Sequence, residues 1–338
     1  MKKEIVIYYP YPGKTNKFHA NMIATLENKY KVISLERFLI NPLLFFKTKK
    51  IYINNVENRK WGILWKTVFR YLKMSKMEIN YFFHNYMQYE ASDKEAAIDK
   101  VKYMVDWADY VYILSSGGRE ILKQHYSLTD DSKIKYIDHI NYIETYPSSK
   151  RNYRKELNIP EDAFVFGFFG KVRPYKNIEL IIEAFNRLGN NEAYLVIAGG
   201  PMDEAYGVQI AELASANSHI RLSLQTVPDE DLSSLFRDID ILVLPYDTKA
   251  NMNSGVMVAA FSYGKTVLIS DTEMAKDFNK QGFIYMYESK DDDLEELVVQ
   301  MNAVMAAGKE VIILKGKQAY QYVLKNNSQE NVLHELGL

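Results

Sequence analysis

The stretch Phe166-Gly167-Phe168-Phe169-Gly170-Lys171-Val172-Arg173-Pro174-Tyr175-Lys176-Asn177 sits near the middle of this 338-residue chain. It reads as an apolar strand, expected over Phe164 to Phe169, that runs into a glycine and then three cations within six residues. In open α/β sheets ligands gather beyond the carboxyl ends of the strands, which is where these cations fall. Three positive charges there imply an anionic ligand in preference to a solvated basic turn. The pattern places Lys176 at the start of a helix from Asn177 to Leu188, where the macrodipole repels a lysine, so helix stability does not account for it.

Outward from this stretch, short β-branched or aromatic runs alternate with amphipathic helix-length segments, the signal for βαβ units and parallel sheets. Strands are expected at Glu4–Tyr9, Tyr30–Ser34, Ile51–Asn54, Ile79–His84, Tyr110–Leu114 and Ile134–Ile137. A second set follows at Phe164–Phe169, Tyr194–Ala198, Ile220–Leu222, Ile239–Leu244, Thr266–Ile269 and Phe283–Met286. Two doubly wound sheets fit better than one of twelve strands. The polar segment Tyr146 to Asn152 carries turn residues and charge without periodicity, which makes it the expected joint. Domains are therefore expected over residues 1–150 and 151–315, with residues 316–338 forming helices able to pack back on the first domain.

Composition narrows the chemistry. Apolar residues are 47% and charged residues 25%, ordinary globular values. The chain has no cysteine, which removes disulfides, thiolate metal sites and cysteine nucleophiles and suits a reducing compartment. The apolar stretch Ile5–Tyr9 is too short for a signal peptide. No uninterrupted apolar run approaches the length of a bilayer-spanning helix. A cytoplasmic protein is expected, peripheral at the inner membrane face where its charge permits. The net charge of −1 hides +8 in residues 1–150, from 24 basic and 16 acidic side chains, against −9 in the remainder. Between Phe46 and Met77 nine basic residues face one acidic residue. The helix expected over Arg59–Met77 carries an apolar stripe of Trp61, Leu64, Trp65, Val68 and Leu72, read as sheet packing. Its basic face could touch an anionic membrane surface.

A second rim loop, from Pro245 to Val258, follows the expected strand Ile239–Leu244. Within it Asn253-Ser254-Gly255 reads as a helix start whose free backbone N–H groups suit a phosphate. Taken alone it favours an ordinary N-cap with Gly255 permitting close packing; beside three cations on the same sheet edge, the phosphate reading becomes the better one. Gly199-Gly200-Pro201 and Val227-Pro228-Asp229 are further candidates to line a nucleotide pocket. In the first half, the loop around Gly13 suggests close approach of a ligand. His84, with Asn85 and then Glu90, ends the fourth strand, where an imidazole can exchange a proton with a sugar hydroxyl. His139 is a weaker candidate. Neither a dinucleotide fingerprint nor a Gly-Lys-Ser/Thr phosphate loop is present, which weakens dehydrogenase and P-loop readings. Asp229/Asp231, Asp238/Asp240 and Asp291/Asp293 are read as structural, and no metal or other cofactor is expected.

Taken together, Gly170-Lys171 … Lys176, Ala198-Gly199-Gly200, Val227-Pro228-Asp229, Asp240 to Pro245 and Ser254-Gly255 … Gly264-Lys265 resemble the donor-binding half of GT-B glycosyltransferases. The chain is most similar to the retaining, family four-like nucleotide-sugar transferases of capsule and exopolysaccharide synthesis. The resemblance implies an α/β architecture of two Rossmann-like domains facing a central cleft, the first binding acceptor and the second the nucleotide-sugar donor. It implies that Lys171 and Lys176, with Arg173 as a third cation, hold the donor diphosphate. Ser254, Gly255 and Val256 would supply backbone N–H groups to it. His84 would stand near the transferred sugar, with Glu90 the second candidate base, and the backbone at Val227 would meet the nucleobase. Two glutamates that the family commonly shows before the Gly-Lys correspond here to Asn251 and Ala259. That departure leaves the choice between retention and inversion open and admits a non-catalytic partner subunit as an alternative; the shared fold admits a further one, a sugar-nucleotide epimerase, which would want more carboxylates in the cleft.

Overall fold

The structure, a computed structural model, describes residues 3–11, 17–54, 62–84, 94–189, 192–249, 252–289 and 293–338. The chain divides into two compact units, residues 1–140 with 327–338, and residues 141–326. Both are built on the strand–helix alternation, and all twelve strands fall where the apolar runs place them, with ends shifted by up to three residues.

The first unit holds β1 (Ile5–Tyr9), β2 (Lys31–Ser34), β3 (Thr48–Asn54), β4 (Glu78–Phe83), β5 (Tyr110–Ile113) and β6 (Ile134–Tyr136). They form one parallel sheet in the order β2-β1-β3-β4-β5-β6. Its helices are α1 (Lys17–Glu27), α2 (Leu35–Leu39), α3 (Gly62–Met74), α4 (Lys94–Trp107) and α5 (Gly118–Tyr126). Parallel strands covered on both faces must be apolar throughout. Accordingly Val6, Ile7, Ile51, Ile53, Ile79, Phe82, Phe83 and Val111 are all buried. On α3, Val68 and Leu72 are buried as the stripe requires; the side chains of Trp61, Leu64 and Trp65 lie outside the described residues.

The second unit holds α6 (Tyr153–Glu156), β7 (Phe164–Phe169), α7 (Ile178–Leu188), β8 (Ala193–Ala198), α8 (Glu204–Ser215), β9 (Ile220–Ser223) and α9 (Leu232–Asp238). It continues with β10 (Ile241–Leu244), α10 (Gly255–Ser262), β11 (Val267–Ser270), α11 (Glu273–Asn279), β12 (Tyr285–Tyr287) and α12 (Asp293–Asn326). The strand order is β12-β11-β10-β7-β8-β9, again all parallel. The order reverses between β7 and β10. Gly167 permits that pairing, because a Cβ on it would lie 2.4 Å from the Ile239 side chain. Asp240 and Asp238 are structural, as read from the sequence. Asp240 accepts hydrogen bonds from Arg154 (3.1 Å) and from the Val165 amide (2.7 Å), and Asp238 accepts from the Tyr153 amide.

Helix α12 is long and apolar enough to cross a membrane by length and composition. The expectation of no such helix counted only uninterrupted apolar runs. Gly308, at φ 78°, breaks its helical backbone midway, and Leu297, Met301, Val304, Ile312, Ala319 and Val323 are buried in the second unit. Past Asn326 the chain returns to the first unit as α13 (Gln329–Glu335), where Asn327 donates to the His139 carbonyl at 2.7 Å.

Candidate functional site

In the second unit the carboxyl ends of β7, β8 and β10 meet at the switch point of the sheet, the position where open α/β sheets bind ligands. Gly170 (φ 134°) and Gly199 (φ 146°) let two strand ends touch: a Cβ on Gly199 would sit 1.8 Å from the Gly170 carbonyl oxygen. Gly200 packs on Thr226 less tightly, a Cβ there lying 3.2 Å from the threonine hydroxyl, and its carbonyl accepts from the Val172 amide at 3.0 Å. Across the switch point, a Cβ on Gly170 would come within 3.7 Å of Val256. Gly170 and the start of α10 are therefore neighbours.

Lys176 departs from its expected place. It ends a single 3₁₀ turn, Pro174–Lys176; Asn177 then takes a left-handed conformation (φ 50°) and α7 begins at Ile178. Asn177 donates to the Pro245 carbonyl at 2.8 Å and the Asp247 amide donates to the Tyr175 carbonyl at 3.0 Å, which locks the β7 and β10 loops together. This arrangement turns Lys176 away from the helix and sets its Nζ over the Tyr246 ring, 3.5 Å from the centroid, and 5.0 Å from that of Tyr175. Burial, and secondly the Arg173 cation beside it, pull Lys176 down to about 7. A cation so destabilised is poised to accept an anion. Arg173 is half-buried, and Lys171 points to solvent.

Ser254 is the N-cap of α10, its hydroxyl accepting from the Met257 amide at 3.1 Å. The hydroxyl is thereby occupied by capping. The Gly255 and Val256 amides belong to the first turn, which has no acceptor within its own helix. Asn253 is half-buried, and Val227 is buried in the loop after β9. Lys265 lies elsewhere, donating to the Ile239 carbonyl at 2.6 Å as a structural lysine. A pocket lined by Ser262, Tyr263, Gly264, Lys317, Tyr320 and Gln321 sits at the opposite end of α10. Ala259 is buried inside α10, and Asn251 lies outside the described residues.

In the first unit His84 follows β4, and its Nε2 donates to Asn54 Oδ1 at the end of β3, at 2.7 Å. The ring of Phe18 on α1 contacts His84, His19 and His139, with centroids 5.1, 5.6 and 4.9 Å away, and Tyr8 bonds His19 at 2.9 Å. Three imidazoles thus cluster at the carboxyl ends of the strands. Burial, followed by the neighbouring His19 and His139, holds His84 at about 3, and burial holds His139 at about 4. At neutral pH both rings are uncharged. Tyr8, His19 and Asn54 were not singled out from the sequence; their positions at strand ends or on the first helix were the available signal. Glu90 and Gly13 lie outside the described residues.

Two six-stranded parallel sheets, each with a strand-end site at its reversal, define the GT-B architecture. Across 99% of this chain and 98% of theirs, the structures of Anabaena HepE in complex with UDP and glucose (TM-score 0.76, 14% identity) and of sucrose-phosphate synthase from Thermosynechococcus elongatus (0.74, 12%) share it. More particularly, residues 149–312 match the family model "Glycosyl transferases group 1". A GDP-mannose:glycolipid 4-beta-D-mannosyltransferase of Xanthomonas campestris pv. campestris is 26% identical over 128 residues, 37% of this chain and 36% of that protein. A D-inositol 3-phosphate glycosyltransferase of Corynebacterium glutamicum is 28% identical over 155 residues, 42% and 36% of the two chains. The chain spans about a third to a half of the length of the curated relatives it matches. Over these residues the chain is similar to glycosyltransferases.

Proposed function

We propose that the chain transfers a hexosyl group from a nucleoside-diphosphate sugar to a hydroxyl of a saccharide or lipid-linked saccharide, in the synthesis of a surface polysaccharide or glycoconjugate. The observation that carries this reading is the rim of the second sheet. Lys176 and Arg173 lie at the end of β7 and the first-turn amides of α10 are beside Gly170. In the reaction the bond from the anomeric carbon to phosphate breaks and a bond to the acceptor oxygen forms. Negative charge grows on the departing diphosphate. Cations and oriented amides placed there stabilise the transition state more than the ground state. In this reading they meet that charge without a divalent metal, with Lys171 at the solvent side and Val227, Gly199 and Gly200 toward the nucleoside.

His84 is too weakly basic, at about 3, to serve as an efficient general base near neutral pH. We assign it a hydrogen-bonding role toward a sugar hydroxyl, oriented by Asn54, while a departing phosphate oxygen takes the acceptor proton. A chain without cysteine suits the reducing cytoplasm, where we place the reaction.

The test is a thermal-shift screen of nucleoside diphosphates and their sugars, followed by a transfer assay with any that bind. A melting temperature raised by one of them supports donor binding. Turnover lowered about tenfold or more in a folded Lys176→Ala protein supports the role of that cation. No shift with any donor favours the non-catalytic partner, and EDTA-sensitive turnover refutes metal independence.

A further inference from the structure

The first unit carries a second feature, independent of the strand-end cluster. Ile40, Leu43, Phe46 and Met74 are 71–83% exposed, and Leu39 and Tyr71 are more than 40% exposed. Large apolar side chains left this open are unusual when they adjoin one another. These do adjoin. Tyr71 of α3 meets the rings of Phe38 on α2 and of Phe45, at 6.4 and 5.2 Å, and Phe45 meets Phe46 at 5.3 Å. Met74 follows Tyr71 by three positions on the same helix, so the two share a face. The end of α2, residues 43–46 and the last turn of α3 therefore form one apolar tip.

Positive charge predominates along the segments that build the tip. Arg37, Lys47, Lys49, Lys66, Arg70 and Lys76 are exposed, and Glu36 is the one exposed acid among the described residues from 35 to 77. Lys50 and Lys73 are paired instead, with Glu78 and Asp109. An apolar tip on segments rich in exposed cations matches a bilayer of anionic lipid, whose acyl region takes the side chains while its headgroups meet the lysines and arginines. A second copy of the chain fits less well, since the same cations would face one another across the contact.

We propose that this tip docks the chain on anionic membrane, with Ile40, Leu43, Phe46 and Met74 entering the interface. Residues 43–46 and the last turn of α3 precede β3 and β4, at their amino ends, whereas Asn54 ends β3 and His84 follows β4. Docking therefore leaves the imidazole cluster on the far side of this sheet from the lipid, and the variants below alter no group assigned to binding or catalysis.

The experiment is co-sedimentation of the full chain with phosphatidylcholine vesicles, pure or with about a third phosphatidylglycerol. The chain is expected to sediment with the anionic vesicles and not with the neutral ones, and added salt should release it. Ile40→Ser with Phe46→Ser should lower partitioning about tenfold or more. These side chains are exposed, so the melting temperature should hold. Lys47→Glu with Lys49→Glu should weaken binding separately. A chain that stays in solution with anionic vesicles overturns the proposal. So does a folded Ile40→Ser, Phe46→Ser protein that sediments unchanged, or a dimer of the free chain that those substitutions dissociate. Nucleotide binding, read by the thermal-shift screen, is not expected to respond to any of these variants, so the two readings fail separately.

Discussion

Lys176 should make nucleoside-diphosphate binding depend on pH in a way that reports its burial. With the lysine at about 7 in the unliganded chain, much of it is neutral amine at neutral pH and nearly all of it is so two units higher. A diphosphate oxygen at about 4 Å, in a medium of effective dielectric about 20, returns about 4 kcal/mol to the cation. That corresponds to about three pK units, so the bound lysine titrates near its ordinary value. Binding then takes up a proton. The association constant should fall by up to tenfold per pH unit above neutrality, or about fiftyfold from about pH 7 to about pH 9. Calorimetric titration with UDP, in buffers of different ionisation enthalpy, measures both the affinity and the proton taken up. Lys176→Arg, always charged, should flatten the dependence. Lys176→Met should bind weakly at every pH. Wild-type affinity constant over this range, or an unchanged slope in Lys176→Met, refutes the reasoning.

Acid should unfold the first unit through its imidazoles. His139 and His84 titrate well below the ordinary histidine in the folded chain, so their contribution to stability is present above about pH 6.5 and lost as pH falls toward 4. His139 alone should cost about 2 kcal/mol by pH 5, because the unfolded chain takes up a proton there while the buried ring stays neutral, and His139→Gln should blunt the shift of the urea midpoint with pH. Asp240→Asn leaves the Arg154 guanidinium, which is buried, without its carboxylate; a loss of about 3–5 kcal/mol is expected, read as a lower melting temperature. Gly199→Ala forces a methyl to within 1.8 Å of the Gly170 carbonyl at a left-handed backbone position. Circular dichroism on heating should show destabilisation of several kcal/mol, or the protein should fail to fold.

The strands were legible because a parallel sheet covered on both faces demands unbroken β-branched and aromatic runs, and twelve such runs recur. The interruption of the last long helix was also visible, in the glycine at 308 between two periodic segments. The turn that aims Lys176 was harder to read. Pro174 fixing φ and Asn177 tolerating the left-handed region were both in view, yet a single 3₁₀ turn leaves no periodicity to detect. Helix α2, five residues long, escaped for the same reason. The imidazole cluster illustrates a different limit. Tyr8, His19, Asn54, His84 and His139 are far apart in sequence, and only the strand order brings them together. The low basicity of His84 follows from neighbours that no local pattern reveals.

A crystal structure of the chain grown with a nucleoside-diphosphate sugar is the sharpest trial of the donor site. The account predicts the diphosphate between the Lys176 ammonium and the amides of Gly255 and Val256, with Arg173 alongside. A donor bound away from the carboxyl ends of β7 and β10, with Lys176 still resting on Tyr246 and touching no phosphate, would contradict it.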